Sequence, residues 1–370
     1  MRLLLLIFLF FHGLIHLIGF VKGFFPAALP KLSFIVSSTA AVFWLITTLL
    51  FLFSGILFLL GKSGWASIAL VATVISAVLI IAAWQEARFG MIANFLILIA
   101  AIVAIGNQQF ERKVRKEMNL VAGDTRLVAP EILQESDIRN LPENVRSWLI
   151  STGAVGRQRA STVTISQDFK MKLKPEQENW YNAQARQFYN VEHPGFIWTV
   201  DLKMNPLIQV SGRDKFYDGK GAMEMRMNGF IPLGNETGPK MDEGTLQRFL
   251  GEIVWFPSAA TSEFITWEAI DIQTSKAVMN YRGTSGSGTF YFGKDGHFER
   301  FEAMRYMGNK ADAKKYLWEI RVLEDSTFNG ITVPSKCEAI WHLDEGQWKW
   351  CEIEITSLAY NLDDENFNFK

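Results

Sequence analysis

Long unbroken apolar runs fill the first 110 residues, and short segments that alternate apolar with polar fill most of the remaining chain. A bilayer core about 30 Å thick takes roughly 20 apolar residues of helix. Leu3–Val21, Leu32–Leu60, Trp65–Trp84 and Phe89–Gly106 are the segments that match. The links between them are short, and Glu86 is the one acidic residue before Glu111. The pattern therefore predicts a four-helix transmembrane region over residues 1–110. Trp65 and Trp84 bracket the third span, where amphipathic rings favour the headgroup region. The first span is read as a retained anchor: its apolar run exceeds the h-region of a cleaved signal, and Ala27-Ala28 comes late for a cleavage point.

The run Glu111–Glu117 predicts a helix leaving the membrane, and a polar linker extends to Asn140. Leu141-Pro142-Glu143 opens a short helix that runs through Trp148 and stops near Gly153. A period of two then sets in. The strand segments are Phe169–Leu173, Phe196–Met204, Leu207–Tyr217, Ala222–Asn228, Ile265–Ile272, Ala277–Arg282, Thr289–Phe292, Phe298–Tyr306, Tyr316–Leu323, Cys337–Leu343 and Trp348–Thr356. Asp218-Gly219, Asp295-Gly296, Asn329-Gly330 and Glu345-Gly346 punctuate them as hairpin turns. About a dozen sequential strands on short turns form an antiparallel meander that must curl or close to hide its edges. One helix interrupts it, capped by Asp242, with Leu246, Phe249, Leu250 and Ile253 on one face and its end before Pro257. The expected fold is a four-helix membrane region (1–110), a juxtamembrane helix and linker (111–140), and an antiparallel β domain (141–370). That domain is a curled sheet or open barrel with the helix packed on its concave face.

Charge narrows the partners. Of 37 Lys and Arg and 38 Asp and Glu, only Arg2, Lys22, Lys31, Lys62, Arg88 and Glu86 precede Glu111. The remainder holds 32 basic and 37 acidic residues, a net charge of −5, which argues against nucleic acid as a partner. Arg2, Lys62, Arg112, Lys113, Arg115 and Lys116 flank one side of the spans, and Lys22, Lys31 and Arg88 the other. That excess places the large domain in the cytoplasm.

His12 and His16 lie four apart on one helix face. Such a pair is able to bind metal or haem. With no Cys or acidic ligand nearby, interhelical hydrogen bonding beside Gly13 and Gly19 is the plainer expectation. No metal site or cofactor is expected elsewhere either. Cys337 and Cys351 lack zinc spacing and read as free thiols on two arms of a hairpin, with Cys337 opposite Ile353. Thr284–Gly288 lacks the ending of a phosphate loop and reads as a flexible hairpin. His193, His297 and His342 sit in no nucleophile motif.

Four groups carry candidate chemistry. Arg248 and Glu252 are spaced i, i+4, which by itself is an exposed ion pair worth a few tenths of a kcal/mol. Arg213 and Asp214 are adjacent on a strand and face opposite ways. One of them pointing inward is the functional alternative to a solvated edge strand, and a buried Arg213 would need a carboxylate such as Glu252. Met223, Met225 and Met227 alternate along one strand face and give a soft, adaptable lining. Phe196, Trp198 and Trp255 supply aromatic wall.

The residues Leu141-Pro142 with Trp148, Phe196-Ile-Trp198, Ser211-Gly-Arg-Asp214 with Tyr217, Gly219-Lys-Gly221, Arg248-Phe-Leu-Gly-Glu-Ile-Val-Trp-Phe-Pro257 and Trp267 resemble an uncharacterised family of bacterial soluble domains of unknown function, over about Leu141 to Tyr360. The layout is also similar to LolA/LolB-type open β-barrels, which bind acyl chains. The family resemblance implies no known reaction; the aromatic and Met strand faces, the curled meander and the adjoining spans instead point to a bacterial inner-membrane protein whose tethered domain binds a lipid or other apolar ligand. Phe196, Trp198, Met223, Met225 and Trp255 would line the cavity, and Arg213, Asp214, Arg248 and Glu252 would form its polar part. Two other readings stay open: an enzyme on a lipid-like or small polar substrate, using Glu252 with Arg248 or Arg213, and a structural or partner-binding membrane module.

Overall fold

The structure, a computed structural model, describes residues 2–32, 35–123, 131–205 and 207–361. The chain divides into two compact units, residues 1–112 with 228–230, and the rest.

In the first unit the helices are α1 (Arg2–Ile15), α2 (Leu17–Phe24), α3 (Ser38–Leu59), α4 (Trp65–Ala82), the single turn α5 (Trp84–Ala87) and α6 (Gly90–Ala122), whose residues from Lys113 on belong to the second unit. Four stretches are long and apolar enough to cross a membrane: α1 with α2, α3, α4 and α6. The second span begins at Ser38 rather than Leu32, because the Ser37 side chain caps it by accepting from the Ala40 amide. Trp65 is buried, with its ring 4.9 Å from that of Phe58. The two imidazoles find hydrogen-bond partners on α1, α4 and α6. His16 Nδ1 donates to the His12 carbonyl at 2.7 Å and its Nε2 meets Ser76 Oγ at 2.8 Å; His12 Nε2 pairs with Asn94 Oδ1 at 2.8 Å. Gly13 and Gly19 let Phe51 and Trp44 close in.

The second unit opens with α7 (Glu135–Ile138) and α8 (Glu143–Ser151), then a meander β1 (Thr162–Met171), β2 (Tyr181–Asn190), β3 (Gly195–Asn205), β4 (Ile208–Tyr217), β5 (Lys220–Met227) and β6 (Ile231–Thr237). Helix α9 (Pro239–Glu252) comes next. A second meander comprises β7 (Ile265–Ala269), β8 (Thr274–Tyr281), β9 (Thr284–Phe292), β10 (Phe298–Tyr306), β11 (Lys315–Phe328), β12 (Ile331–Leu343) and β13 (Gly346–Tyr360). All pairings are antiparallel, and β1 joins β13, so the two meanders make one curled, unclosed 13-stranded sheet from β6 to β7. Asp218-Gly219, Asn228-Gly229, Arg282-Gly283 and Asn329-Gly330 have positive φ at both positions. This is the hairpin geometry whose twist matches the strands and curls the sheet.

Helix α9 connects the two edges and packs against β4, β5, β9 and β10. Leu246, Phe249, Leu250 and Ile253 are at most 1% exposed. Burying each stabilises the fold by about 1.5–3 kcal/mol. Asp242 is not its cap. The helix starts at Pro239, and Asp242, one turn in, accepts from the Gly221 amide at 2.8 Å and from Lys220, fixing the helix to the β4–β5 hairpin. Thr284–Gly288 is not a flexible hairpin either: it is the start of β9. A Cβ on Gly286 would lie 2.8 Å from Leu246 and Gln247, and one on Gly288 would lie 2.1 Å from Phe301. Bare backbone there is what lets helix and sheet approach.

Candidate functional site

Between α9 and the concave sheet face lies a cavity of about 520 Å³. Its walls are apolar and aromatic, with Phe169, Trp198, Met223, Met225, Trp255, Trp318, Trp341, Trp348 and Trp350 prominent. Six of the chain's 12 Trp residues therefore surround one space. Gly212 and Ala339 leave the room. A register shift between Ala339 and Ile340 on the β12–β13 pair lets Trp350 and its neighbour Cys351 both face inward. The same shift pairs Cys337 with Ile353, although the turn itself pairs Leu343 with Gly346. Both thiols are free and buried against the cavity. Burial pushes Cys337 up to about 12 and Cys351 well above the ordinary thiol value.

One end of the cavity is charged. Arg248 Nε donates to Glu252 Oε1 at 2.8 Å, and its Nη1 donates to Asp214 Oδ2 at 2.7 Å. The guanidinium lies over the rings of Trp198 (4.8 Å) and Phe196 (5.1 Å). Glu252 Oε2 accepts from Gln187 Nε2 and from the Tyr189 hydroxyl, each at 2.9 Å. The i, i+4 pair is thus one edge of an enclosed network rather than a solvated helix decoration. Burial opposes the Arg248 charge, but Glu252 and Asp214 outweigh it and hold the guanidinium firmly protonated. Burial raises Asp214 against the pull of Arg248. Burial and the Glu252 charge drive the Tyr189 hydroxyl far upward. Three donors already occupy the Glu252 carboxylate, an arrangement suited to fixing Arg248 and poorly suited to moving a substrate proton.

The structure separates the remaining sequence candidates. Asp214, Trp198, Met223, Met225 and Trp255 line the cavity with Arg248 and Glu252. Phe196 does not: it is fully buried in the core beneath Arg248. Arg213 does not either. It faces the opposite side of β4, which is an interior strand and not an edge, and its carboxylates are Glu117 at 2.9 Å and Glu224 at 3.2 Å, not Glu252. Lys113 also pairs with Glu224, and Lys215 with Glu117, so part of the basic juxtamembrane run belongs to this outer-face network. Burial opposes the Glu224 charge, but Lys113 and Arg226 outweigh it and hold its carboxyl below the ordinary value. Met227 packs partly against the core. Trp255 is more than wall: its Nε1 donates to the Pro334 carbonyl at 3.0 Å, and its own carbonyl accepts from the Tyr360 hydroxyl at 2.8 Å. Loss of that ring would cost fold as well as cavity.

Arg305 escaped the sequence reading. It lines the same cavity, with its guanidinium 4.1 Å above the Trp318 ring. Nη2 donates to the Gly244 carbonyl at 2.9 Å, and Nε is buried without a partner among the described residues. Burial and the neighbouring Arg248 charge lower its pKa to about 10. The signal was present: alternation along β10 puts Arg305 on the face of Phe301 and Ala303, both buried.

A model for a family of unknown function, DUF6544, matches residues 131–353. The chain belongs to that family. No curated protein matches. Among solved structures, the LolA superfamily protein NE2245 from Nitrosomonas europaea is similar at 10% identity and a TM-score of 0.31, over 60% of this chain and 97% of that one. The DUF6544 match contains both Arg248 and Arg305 and most of the cavity wall.

Proposed function

We propose that this DUF6544 protein holds an apolar, chain-like ligand in the cavity under α9, and that its apolar helices keep this binding domain at a membrane. The observation that carries the reading is the cavity itself: about 520 Å³, ringed by six Trp and five Met, with few charged side chains on its wall. Ligand sites are of this size and character, mostly apolar with a few convergent polar groups. The excess of basic residues on one flank of the spans supports a cytoplasmic position for the domain at a bacterial inner membrane. A reporter fused after residue 370 that is active only in the periplasm would reverse that orientation. Binding is tested by quenching. A brominated acyl chain added to the full-length protein in nanodiscs should quench a large share of Trp fluorescence, saturably, and Ala339→Phe should abolish the saturable part. Quenching equal to that of a variant with its cavity filled would contradict the reading.

A further inference from the structure

Resting on that reading, we infer that the ligand is an amphiphile with an anionic head, a carboxylate or a phosphate, and that Arg305 is the residue that receives it. The cavity contains two guanidinium groups in unlike states. Arg248 is held between Glu252 and Asp214 and has little left to offer. Arg305 forms no ion pair among the described residues, and one backbone carbonyl is its only protein acceptor there. A guanidinium has five donors in a rigid fork that fits carboxylate and phosphate oxygens two at a time. A buried charge left unpaired is strongly unfavourable, and an anionic ligand removes that penalty. Trp318 supports the flat face of the group at 4.1 Å and so presets its plane. The carboxylates Asp214 and Glu252 are committed to Arg248, leaving the Arg305 edge as the place where an incoming anion meets attraction first. The apolar chain would then run along the Trp wall. Burial and the Arg248 charge lower the Arg305 pKa even though Glu252, Asp214 and Glu243 pull the other way.

The test uses the full chain in nanodiscs and a neutral photoreactive probe, dodecanol carrying a diazirine, whose crosslinks are mapped by peptide mass spectrometry. Decanoate, decyl phosphate, decanol and methyl decanoate compete against it, with free concentrations corrected for uptake by empty nanodiscs. The expected result is crosslinking at the cavity, displaced by decanoate or decyl phosphate at concentrations about tenfold or more below those of decanol and the ester, the gain of a hydrogen bond to a charged group. The better of the two anions names the head. Arg305→Gln should bring all four competitors within about twofold of one another, and Arg305→Lys should keep the preference for anions. Equal displacement by all four in the wild type would overturn the anionic head while leaving apolar binding intact. An anion preference that survives in Arg305→Gln would overturn the assignment to Arg305. Absence of cavity crosslinks, with labelling confined to the helices around Trp44, would overturn the proposed function itself. Should Arg305→Gln fail to fold, Arg305→Met takes its place, and an anion preference that survives in it would overturn the assignment to Arg305 in the same way.

Discussion

Replacing Arg248 with Met is the sharpest probe of the charged end of the cavity. The change keeps much of the stem but leaves Asp214 and Glu252 enclosed without the cation both of them bond. Glu252 retains its bonds from Gln187 and Tyr189, whereas Asp214 loses its main partner. Removing one member of a fully buried ion pair costs about 3–5 kcal/mol, and the partial exposure of Arg248 (15%), Asp214 (23%) and Glu252 (12%) puts this pair toward the lower end of that range. For a domain of this size the melting temperature should fall by roughly 6–20 °C. Tryptophan fluorescence during heating reads the transition. The pH dependence gives an internal check. Burial already raises the Asp214 carboxyl, and Arg248 is the largest charge opposing that rise. Without Arg248 the folded-state value climbs further above the unfolded one, so the variant binds a proton more readily folded than unfolded. Its deficit should be full at neutral pH and shrink as pH falls toward the ordinary Asp value of about 3.9. Adding Asp214→Asn and Glu252→Gln should recover most of the loss, since no buried charge is then left unpaired. A loss in Arg248→Met below about 1 kcal/mol, the range of exposed ion pairs, would refute the enclosed network.

Packing and titration give three further outcomes. Trp255→Ala should destabilise the domain by roughly 3–5 kcal/mol, read as a lowered denaturation midpoint, because it opens a void and strips the Pro334 carbonyl of its donor. Gly288→Ala should cost about 1–3 kcal/mol or more by forcing a Cβ into Phe301, with hydrogen exchange rising in α9 and β9 together. Burial raises the Cys337 folded-state value to about 12, against an unfolded value near 8.5. Its contribution to stability is complete below about pH 8.5 and is lost as pH rises toward 12; Cys337→Ala should flatten the decline between about pH 8.5 and 10.

Most of the architecture was legible because the two periodicities are strong. Uninterrupted apolar runs gave the spans, alternation gave the meander, and the stripe on α9 gave its buried face. Two strands were not legible. In β2 the inward positions are Ala183, Ala185, Gln187 and Tyr189, all at most 4% exposed, but two are small and one is polar, so no apolar alternation shows. Strand β6 is an edge with mostly exposed side chains and no buried face to write a pattern. The site was half legible. Arg248 and Glu252 stood out by spacing, but their third member, Asp214, and their hydrogen-bond donors Gln187 and Tyr189 come from strands distant in sequence. Arg213 and Asp214 could be split by alternation but not assigned to faces, because the outer face also buries an ionic network at Arg213 and Glu224. The register shift that turns both Trp350 and Cys351 inward leaves no mark in the sequence.

The central claim is that the cavity under α9 holds an apolar ligand, and the most direct measurement is native mass spectrometry of the protein extracted gently from the membranes in which it is made. The wild type should carry a discrete added mass that denaturation releases as an acyl-chain compound. Ala339→Phe, which fills the cavity, should carry none while melting at or above the wild-type temperature. Wild-type protein free of bound mass, with a melting temperature unmoved by any added acyl compound, would contradict the account.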